Sequence, residues 1–470
     1  MLDLRPKTPA DDIDVFVLRD EEGDIRPAAL ERVHAAIEAK DAAMLRSLLG
    51  DLHEADLGDL LEALEPEERP RLIELMGADF DFTALAEVDD AVRGEILDEL
   101  PPETVAEGVR ELDSDDAVYI LKDLSDEERA EILDQLPPPE RVALARSLEY
   151  PEDSAGRQMQ TEYIAVPPSW RVGHAIDYMR ETEELPERFY ELYVVDNQSR
   201  LLGAVSLDQL LRTKRPTLVS ELMDAERRRV RATDDQEEVA RMFERYNLVA
   251  VPVVDDIDRL VGVITVDDVV DVIEEEAEKD IKALGGITGH EELSDNVWTT
   301  ARGRFNWLLV NLATAFLASS VLGLFEGQLQ KMVALAVLAP IVASQGGNAA
   351  TQTMTVAVRA LATRELHDSN ARRVILRELL VGLVNGVAFA VITGVVAYAW
   401  FNISGLGFVI GLAMVCNLAA AALGGILIPL VIAKFHLDPA VSSGVFVTTV
   451  TDVVGFFSFL GIATLWFGLK

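Results

Sequence analysis

Five apolar segments in the last third of the chain leave little choice of architecture. They run roughly from Phe305 to Phe325, Met332 to Ala362, Val374 to Phe401, Phe408 to Ile432 and Ala440 to Phe467. Each is long enough to cross the ~30 Å hydrocarbon core of a bilayer as a helix. Backbone amides in hydrocarbon must be satisfied within their own segment, so helices are the structure such runs can take. Charge then orients them. Arg302 and Arg304 precede the first segment, five Arg between Arg359 and Arg377 join the second to the third, and Lys434 joins the fourth to the fifth. The other two connections, FEGQLQK and NISGLG, are nearly free of base. The positive-inside rule therefore places the N-terminus in the cytosol and the C-terminus outside, in a multi-pass protein of the cell (inner) membrane.

The residues before this block are of another kind. From Ala301 onward there are six acids and ten bases, which leaves 75 acids and 32 bases ahead of it, a net charge of −43. Such a polyanion excludes nucleic acid as a partner. The opening MLDLRPKTPADDIDVF has no apolar core of signal-peptide type, which fits a cytosolic location. One cysteine, Cys416, excludes a disulfide framework and a Cys-based zinc site. Within the acidic part Leu64, Met76, Val88, Leu100, Leu112, Leu124, Leu136 and Leu148 recur every 12 residues. Each unit predicts one short helix, started by Pro or by a capping box such as Ser125 to Glu128, and none can bury its apolar face alone. Stacking into a small superhelix is the solution.

A second repeat follows. LYVVDNQSRLLGAVSLDQLL, Leu192 to Leu211, aligns without gaps on VPVVDDIDRLVGVITVDDVV, Val251 to Val270, at an offset of 59. Both copies predict a β-branched strand, an Asp-led turn, a second strand with Gly203 or Gly262, and a helix opened by Ser206 or Thr265. These residues resemble a pair of cystathionine-β-synthase-type (CBS) domains. That resemblance implies a pseudo-symmetric regulatory unit and ATP at Gly262, Thr265 and Asp268; the first copy has Gln209 where the family's acid stands. A Thr and an Asp at a helix start are otherwise read as a cap. The next stretch, Asp267 to Leu284, is a predicted helix with Val270, Ile273, Ala277 and Ile281 on one side and a carboxylate face opposite. A bound divalent cation would relieve repulsion on that face.

Polar chemistry inside the membrane points to cations. APIVASQGGNAATQT, Ala339 to Thr353, lies in the middle of the second span. As a helix it sets Gln345, Asn348 and Gln352 on one face, with Ser344, Thr351 and Thr355 beside them. Amides facing lipid are expensive, so this stripe predicts a helix partner or water. Gly346 and Gly347 let another backbone approach or turn carbonyls to a lumen. In the fifth span Asp452 is the sole ionisable side chain, near Thr448, Thr451 and Gly455. A charge there costs on the order of 2.5–3.5 kcal/mol even on the lenient insertion scale. No Lys or Arg lies at comparable depth in another span, so the acid is protonated, hydrated or balanced by a passing cation. Two chains about a two-fold axis would place a pair of Asp452 carboxylates around a hydrated ion. The absence of Cys and His beside Asp452 favours hard divalent cations, Mg2+ above all, over copper or zinc.

Taken together these residues resemble the MgtE family of magnesium channels. The resemblance rests on the superhelix, Tyr150 to Gly156, the CBS pair, the acidic connecting helix, Pro340 with Gly346-Gly347-Asn348 and Gln352, Asp438-Pro439-Ala440, and Thr451-Asp452-Val453. It implies a multidomain fold: an N-terminal extension (1–26), an all-α superhelix (27–150), an α/β CBS pair (151–215 and 216–272), a plug helix and linker (273–300) and a five-helix pore domain (301–470). It implies a homodimer, with Mg2+ as permeant ion at Asp452, Asn348, Gln352 and Thr448. It further implies feedback, in which cytosolic Mg2+ bridges Glu237, Asp268, Asp271, Glu276 and Asp280 and closes the pore. Three positions depart from the family pattern: Thr351 replaces an Asn, Lys279 a plug acid, and Asn247 an acid. An ion-coupled transporter using Asp452 as proton carrier and a membrane-anchored nucleotide sensor are the alternatives. No nucleophile–base constellation or phosphate loop suggests an enzyme.

Overall fold

The 12-residue repeat becomes a stack of nine α-helices between Pro27 and Leu148 in the computed structural model, which describes residues 16–182, 185–186, 188–287, 291, 296–435 and 437–469. All eight repeat residues join one hydrophobic core, Leu112 and Leu148 from its margin. Leu64, Leu100 and Leu136 sit just past helix ends with extended backbone, so the repeat marks the turn that drives a side chain inward. Helix starts are as the sequence predicts. Ser125 and Glu128 form a reciprocal capping box, and Pro102 and Pro138 occupy first turns where a missing N–H costs nothing. The expected N-terminal extension is partly absorbed into this core. Leu18 is buried there, Phe16 and Ile25 pack on it, and Arg19 donates to Asp56 at 2.6 Å. Residues 1–15 of that extension lie outside the described residues.

Arg93 is fully buried in the superhelix, which composition did not announce. It donates to Asp123 at 2.7 Å and to the Val88 carbonyl at 3.0 Å, and its guanidinium stacks 4.4 Å over Tyr119. Replacing it strands a half-buried carboxylate. Arg93→Ala is expected to lower the stability of the superhelix by ~3–5 kcal/mol, read from the urea midpoint of the acidic segment; an unchanged midpoint would show the burial to be incidental.

The 59-residue repeat is reproduced down to its irregularities. β1 (Ala165–Val166), β2 (Glu191–Val195) and β3 (Leu201–Ser206) form one sheet, and β4 (Val230–Arg231), β5 (Ala250–Val254) and β6 (Leu260–Thr265) form another. Each has a parallel edge pair and an antiparallel hairpin, with a register shift at Val194/Val195 in one and Val253/Val254 in the other. The Asp-led turns work identically: Asp196 accepts from the backbone of Gln198 and Arg200, and Asp255 from Ile257 and Arg259. Ser199 and Asp258 take the positive φ that closes each turn.

The chain falls into two compact units, Met1–Glu275 and Glu276–Lys470. The connecting helix, Val266–Leu284, starts directly at the end of β6. Its apolar pattern reads differently from the sequence expectation. Val269 and Val272 are buried in the second CBS core and Ala283 in the membrane unit, while Val270, Ile273 and Ile281 are exposed. The stripe singled out by periodicity is thus offset by one position from the residues the cores take up.

Five long apolar helices follow, Val297–Gly323, Val333–Ala362, Asp368–Phe401, Leu406–Lys434 and Pro439–Phe467, with a short helix, Glu326–Lys331, between the first two. The third long helix begins six residues earlier than its apolar run, carrying Arg372 and Arg373 as a helical turn ahead of that run, with Arg377 in its first turn. Third and fourth helices approach through small residues. A Cβ on Gly382 would lie 2.8 Å from the Leu418 carbonyl oxygen, and Gly394 and Gly407 meet backbone to backbone. Without a hydrophobic drive between helices in lipid, such close van der Waals contact is what holds them.

Candidate ion pathway and acidic clusters

The polar stripe of the second span turns away from the helix bundle. Val342, Ala343, Gly346, Ala350 and Met354 are buried, whereas Ser344, Asn348, Thr351, Gln352 and Thr355 are exposed and Gln345 is half-buried. Thr351 and Thr355 donate their hydroxyls to the carbonyls of Gly347 and Thr351, both at 3.0 Å, so their lone pairs point outward. The two glycines divide the roles expected of them. Gly346 lies against Asn417 of the fourth helix, while nothing stands within 4 Å of a Cβ on Gly347.

The fifth helix divides in the same way. Thr451 is fully buried and donates to the Thr448 carbonyl at 2.9 Å, and Gly455 faces Asn417. Asp452 and Thr448, four residues apart and so on one face, are both half-buried. Thr448 donates to the Gly444 carbonyl at 3.0 Å. Among the described residues no hydrogen bond or ion pair reaches the Asp452 carboxylate. The fifth helix therefore offers one carboxylate and a hydroxyl, and the second helix amides and hydroxyl lone pairs, all hard oxygen donors suited to an ion that keeps part of its water.

Asp280 belongs to the same unit, where the end of the connecting helix packs Ala283 against Met354, Val358 and Ala440. Burial, then the charges of Asp438 and Glu276, push its carboxyl above the ordinary range. Asp438 caps the fifth helix by accepting from Ala440 at 2.7 Å, with Pro439 in the first turn. The Asp-Pro-Ala motif is thus a cap that also fixes an acid beside Asp280. Glu276 accepts from Lys279 at 3.2 Å, so this lysine offsets the charge of one of the expected regulatory acids. After this helix Gly286 takes φ +72°, and a Cβ there would strike Trp307 of the first span at 2.0 Å.

A larger cluster lies in the acidic unit. Asp115 and Asp116 open the helix Ser114–Leu121 and meet Asp268 of the connecting helix, with Asp113, Asp267 and Glu87 adding charge. Burial and the repulsion of Asp268 raise Asp115 well above its usual range, and the same causes push Asp116 up to about 7. Asp268 is likewise pushed up to about 7 by burial, against the lowering effect of Thr265, which donates to it at 2.8 Å. Asp271 is raised by burial and Asp267, and Glu87 by burial and Asp271.

Two expected regulatory acids, Asp268 and Asp271, are therefore brought together, joined by Asp115, Asp116 and Glu87, which sequence reading did not name. Glu237 is placed elsewhere, accepting from Arg241 at 2.8 Å on its own helix. The three residues expected at ATP have local uses. A Cβ on Gly262 would lie 2.8 Å from the Gln160 carbonyl oxygen, and Thr265 with Asp268 forms the cap of the connecting helix.

Five helices long and apolar enough to cross a membrane, carrying an acid and an amide stripe and joined to a CBS pair and an acidic helical stack, define a multi-pass membrane protein of the transport class. Comparisons agree. The family model described as Divalent cation transporter matches residues 339–462, MgtE intracellular N domain matches 52–153, and CBS domain matches 157–215 and 219–275. The chain is 37% identical over 319 residues to Magnesium transporter MgtE of Enterococcus faecalis, covering 68% of this chain and 70% of that one. It is 38% identical over 329 residues to Magnesium transporter MgtE of Thermus thermophilus, covering 69% and 71%. Among solved structures, the cytosolic domain of the Mg2+ channel MgtE in complex with ATP is similar at 34% identity and TM-score 0.48, over 52% of this chain and 99% of that one. The chain belongs to the MgtE family.

Proposed function

We propose that the protein is a Mg2+-selective channel that admits Mg2+ to the cytosol and is closed by cytosolic Mg2+, acting as a homodimer with its N-terminus cytosolic and its C-terminus outside. The observation that carries the transport reading is the half-buried Asp452, without a hydrogen-bond or ion-pair partner among the described residues, on a bundle whose second helix turns Asn348 and Gln352 outward. An exposed amide stripe is costly in lipid, so a second copy that covers it around an aqueous path resolves the cost. Asp452, Asn348, Gln352 and Thr448 would hold the ion through its water, since Mg2+ dehydrates reluctantly.

The gating reading rests on Asp115, Asp116, Asp268 and Asp271, and separately on Asp280 with Asp438. Each group crowds carboxylates, and a divalent ion relieves that repulsion with the hard oxygen donors it prefers. Recording from purified protein in bilayers while cytosolic Mg2+ is stepped tests both parts. Unitary currents that close as Mg2+ rises are expected. Saturating, proton-driven uptake without unitary currents would favour the coupled transporter, and silence in folded dimers would favour the nucleotide sensor. ATP at the CBS pair is tested by calorimetry with Asp268→Asn. Binding that survives places the nucleotide away from Gly262, Thr265 and Asp268.

A further inference from the structure

Asn417 is a fully buried amide in the middle of the apolar fourth helix. Its Nδ2 donates to the Val342 carbonyl of the second helix at 2.7 Å. Two glycines on two other helices make room for it. A Cβ on Gly346 would sit 2.1 Å from that nitrogen, and a Cβ on Gly455 of the fifth helix 2.9 Å from it. The carbonyl oxygen, Oδ1, is buried with no hydrogen-bond partner among the described residues. An unsatisfied buried acceptor costs ~1–3 kcal/mol, so an apolar residue of this size would give a more stable bundle. What an amide supplies instead is a directional tie that fails when the helices slide, the best-attested use of a buried polar group.

Its neighbours show what the tie would hold. Gly346 lies two residues before Asn348 and six before Gln352, and Gly455 three residues after Asp452. One side chain thus touches the back of both helices that carry the proposed ion ligands. We propose that Asn417 is a positioning residue: wedged into the Gly346 and Gly455 socket, it sets the rotation and axial register of the second helix against the fifth, and so the spacing of the amide stripe from Asp452. The inference rests on the transport reading for its functional consequence.

The test uses full-length protein in liposomes, reading Mg2+ influx and its competition by Co2+, with thermal unfolding in detergent measured in parallel. Asn417→Leu is expected to keep or raise the unfolding temperature yet lower maximal Mg2+ influx at least ~10-fold, as small misplacements of binding groups do, and to weaken the preference for Mg2+ over Co2+. Gly346→Ala, whose methyl would strike the amide, is expected to lower influx and ion preference in the same way, with a lower unfolding temperature. The double variant Gly346→Ala with Asn417→Ala vacates the socket and is expected to recover part of the influx and the ion preference. The proposal is overturned if both single variants keep wild-type influx and preference, or if influx falls only in proportion to folded protein with preference unchanged. An inactive wild-type protein would count against the transport reading instead. The unfolding temperatures of the single and double variants would then decide the wedge, their additivity overturning it.

Discussion

Replacing Asp452 by Ala is expected to reduce Mg2+ influx by roughly 100-fold or more while leaving the protein folded and its oligomeric state unchanged. The size follows from two quantities. Holding an acid at this depth costs at least ~2.5–3.5 kcal/mol, a cost that selection retains for an interaction of comparable size with the ion, and ~1.4 kcal/mol corresponds to a decade in rate. Loss of the carboxylate removes the charge that compensates a cation in a medium that solvates it poorly. Asp452→Asn separates charge from shape, because it keeps the volume and one oxygen; it is expected to fall nearly as far as Ala. Influx into liposomes followed with a Mg2+-sensitive dye, with size-exclusion profiles as control, provides the measurement. Selective wild-type uptake by either variant would sink the assignment of the ion site.

The second large effect concerns closure. On the proposed gating, changing Asp115, Asp116 and Asp268 all to Asn is expected to leave Mg2+ influx undiminished at cytosolic Mg2+ concentrations that would suppress it in the wild type. The repulsion that Mg2+ would relieve is then gone, and with it the ligands. The same cluster gives a pH dependence of definite sign. Asp116 and Asp268 lie near 7 in the folded unit against an ordinary value of 3.8. Between about pH 4 and 7 the folded state therefore holds protons that the unfolded chain has released, and stability falls as pH rises through that window. In chelator, the segment Met1–Glu275 is expected to unfold several degrees lower at pH 8 than at pH 5.5, about 2–4 °C for each kcal/mol lost in a unit of this size. Added Mg2+ should narrow that gap, most strongly at pH 8, and the triple Asn variant should flatten both responses. An unfolding temperature indifferent to pH and to Mg2+ would remove the basis for regulation at this cluster.

Much of this organisation was legible because it is periodic or compositional. The 12-residue Leu spacing names residues that all enter one core, and the 59-residue offset carries through to matching register shifts and positive-φ turn residues. Asp452 was legible because a lone acid in an apolar run has no local explanation. Other features had no such signal. Asn417 is the one amide in the fourth apolar segment, but its spacing names no partner, and only the Gly346 and Gly455 socket shows its place. Gly346 and Gly347 are indistinguishable in sequence, yet one is filled by a neighbour and the other is open. Asp115 and Asp116 are two acids among 81 Asp and Glu residues, and Asp438 reads as a helix cap.

By itself the sequence determined the element types, the two internal repeats and the placement of an acid and an amide stripe in the membrane, because backbone satisfaction and apolar burial act on spacing within a segment. Tertiary structure alone decided which carboxylates crowd together, which face of each helix is left open, and that Val269 and Val272 are buried while Val270 and Ile273 are not. Those outcomes depend on contacts between residues far apart in the chain, where a shift of one position on a helix turns a side chain by about 100° and exchanges a core residue for an exposed one.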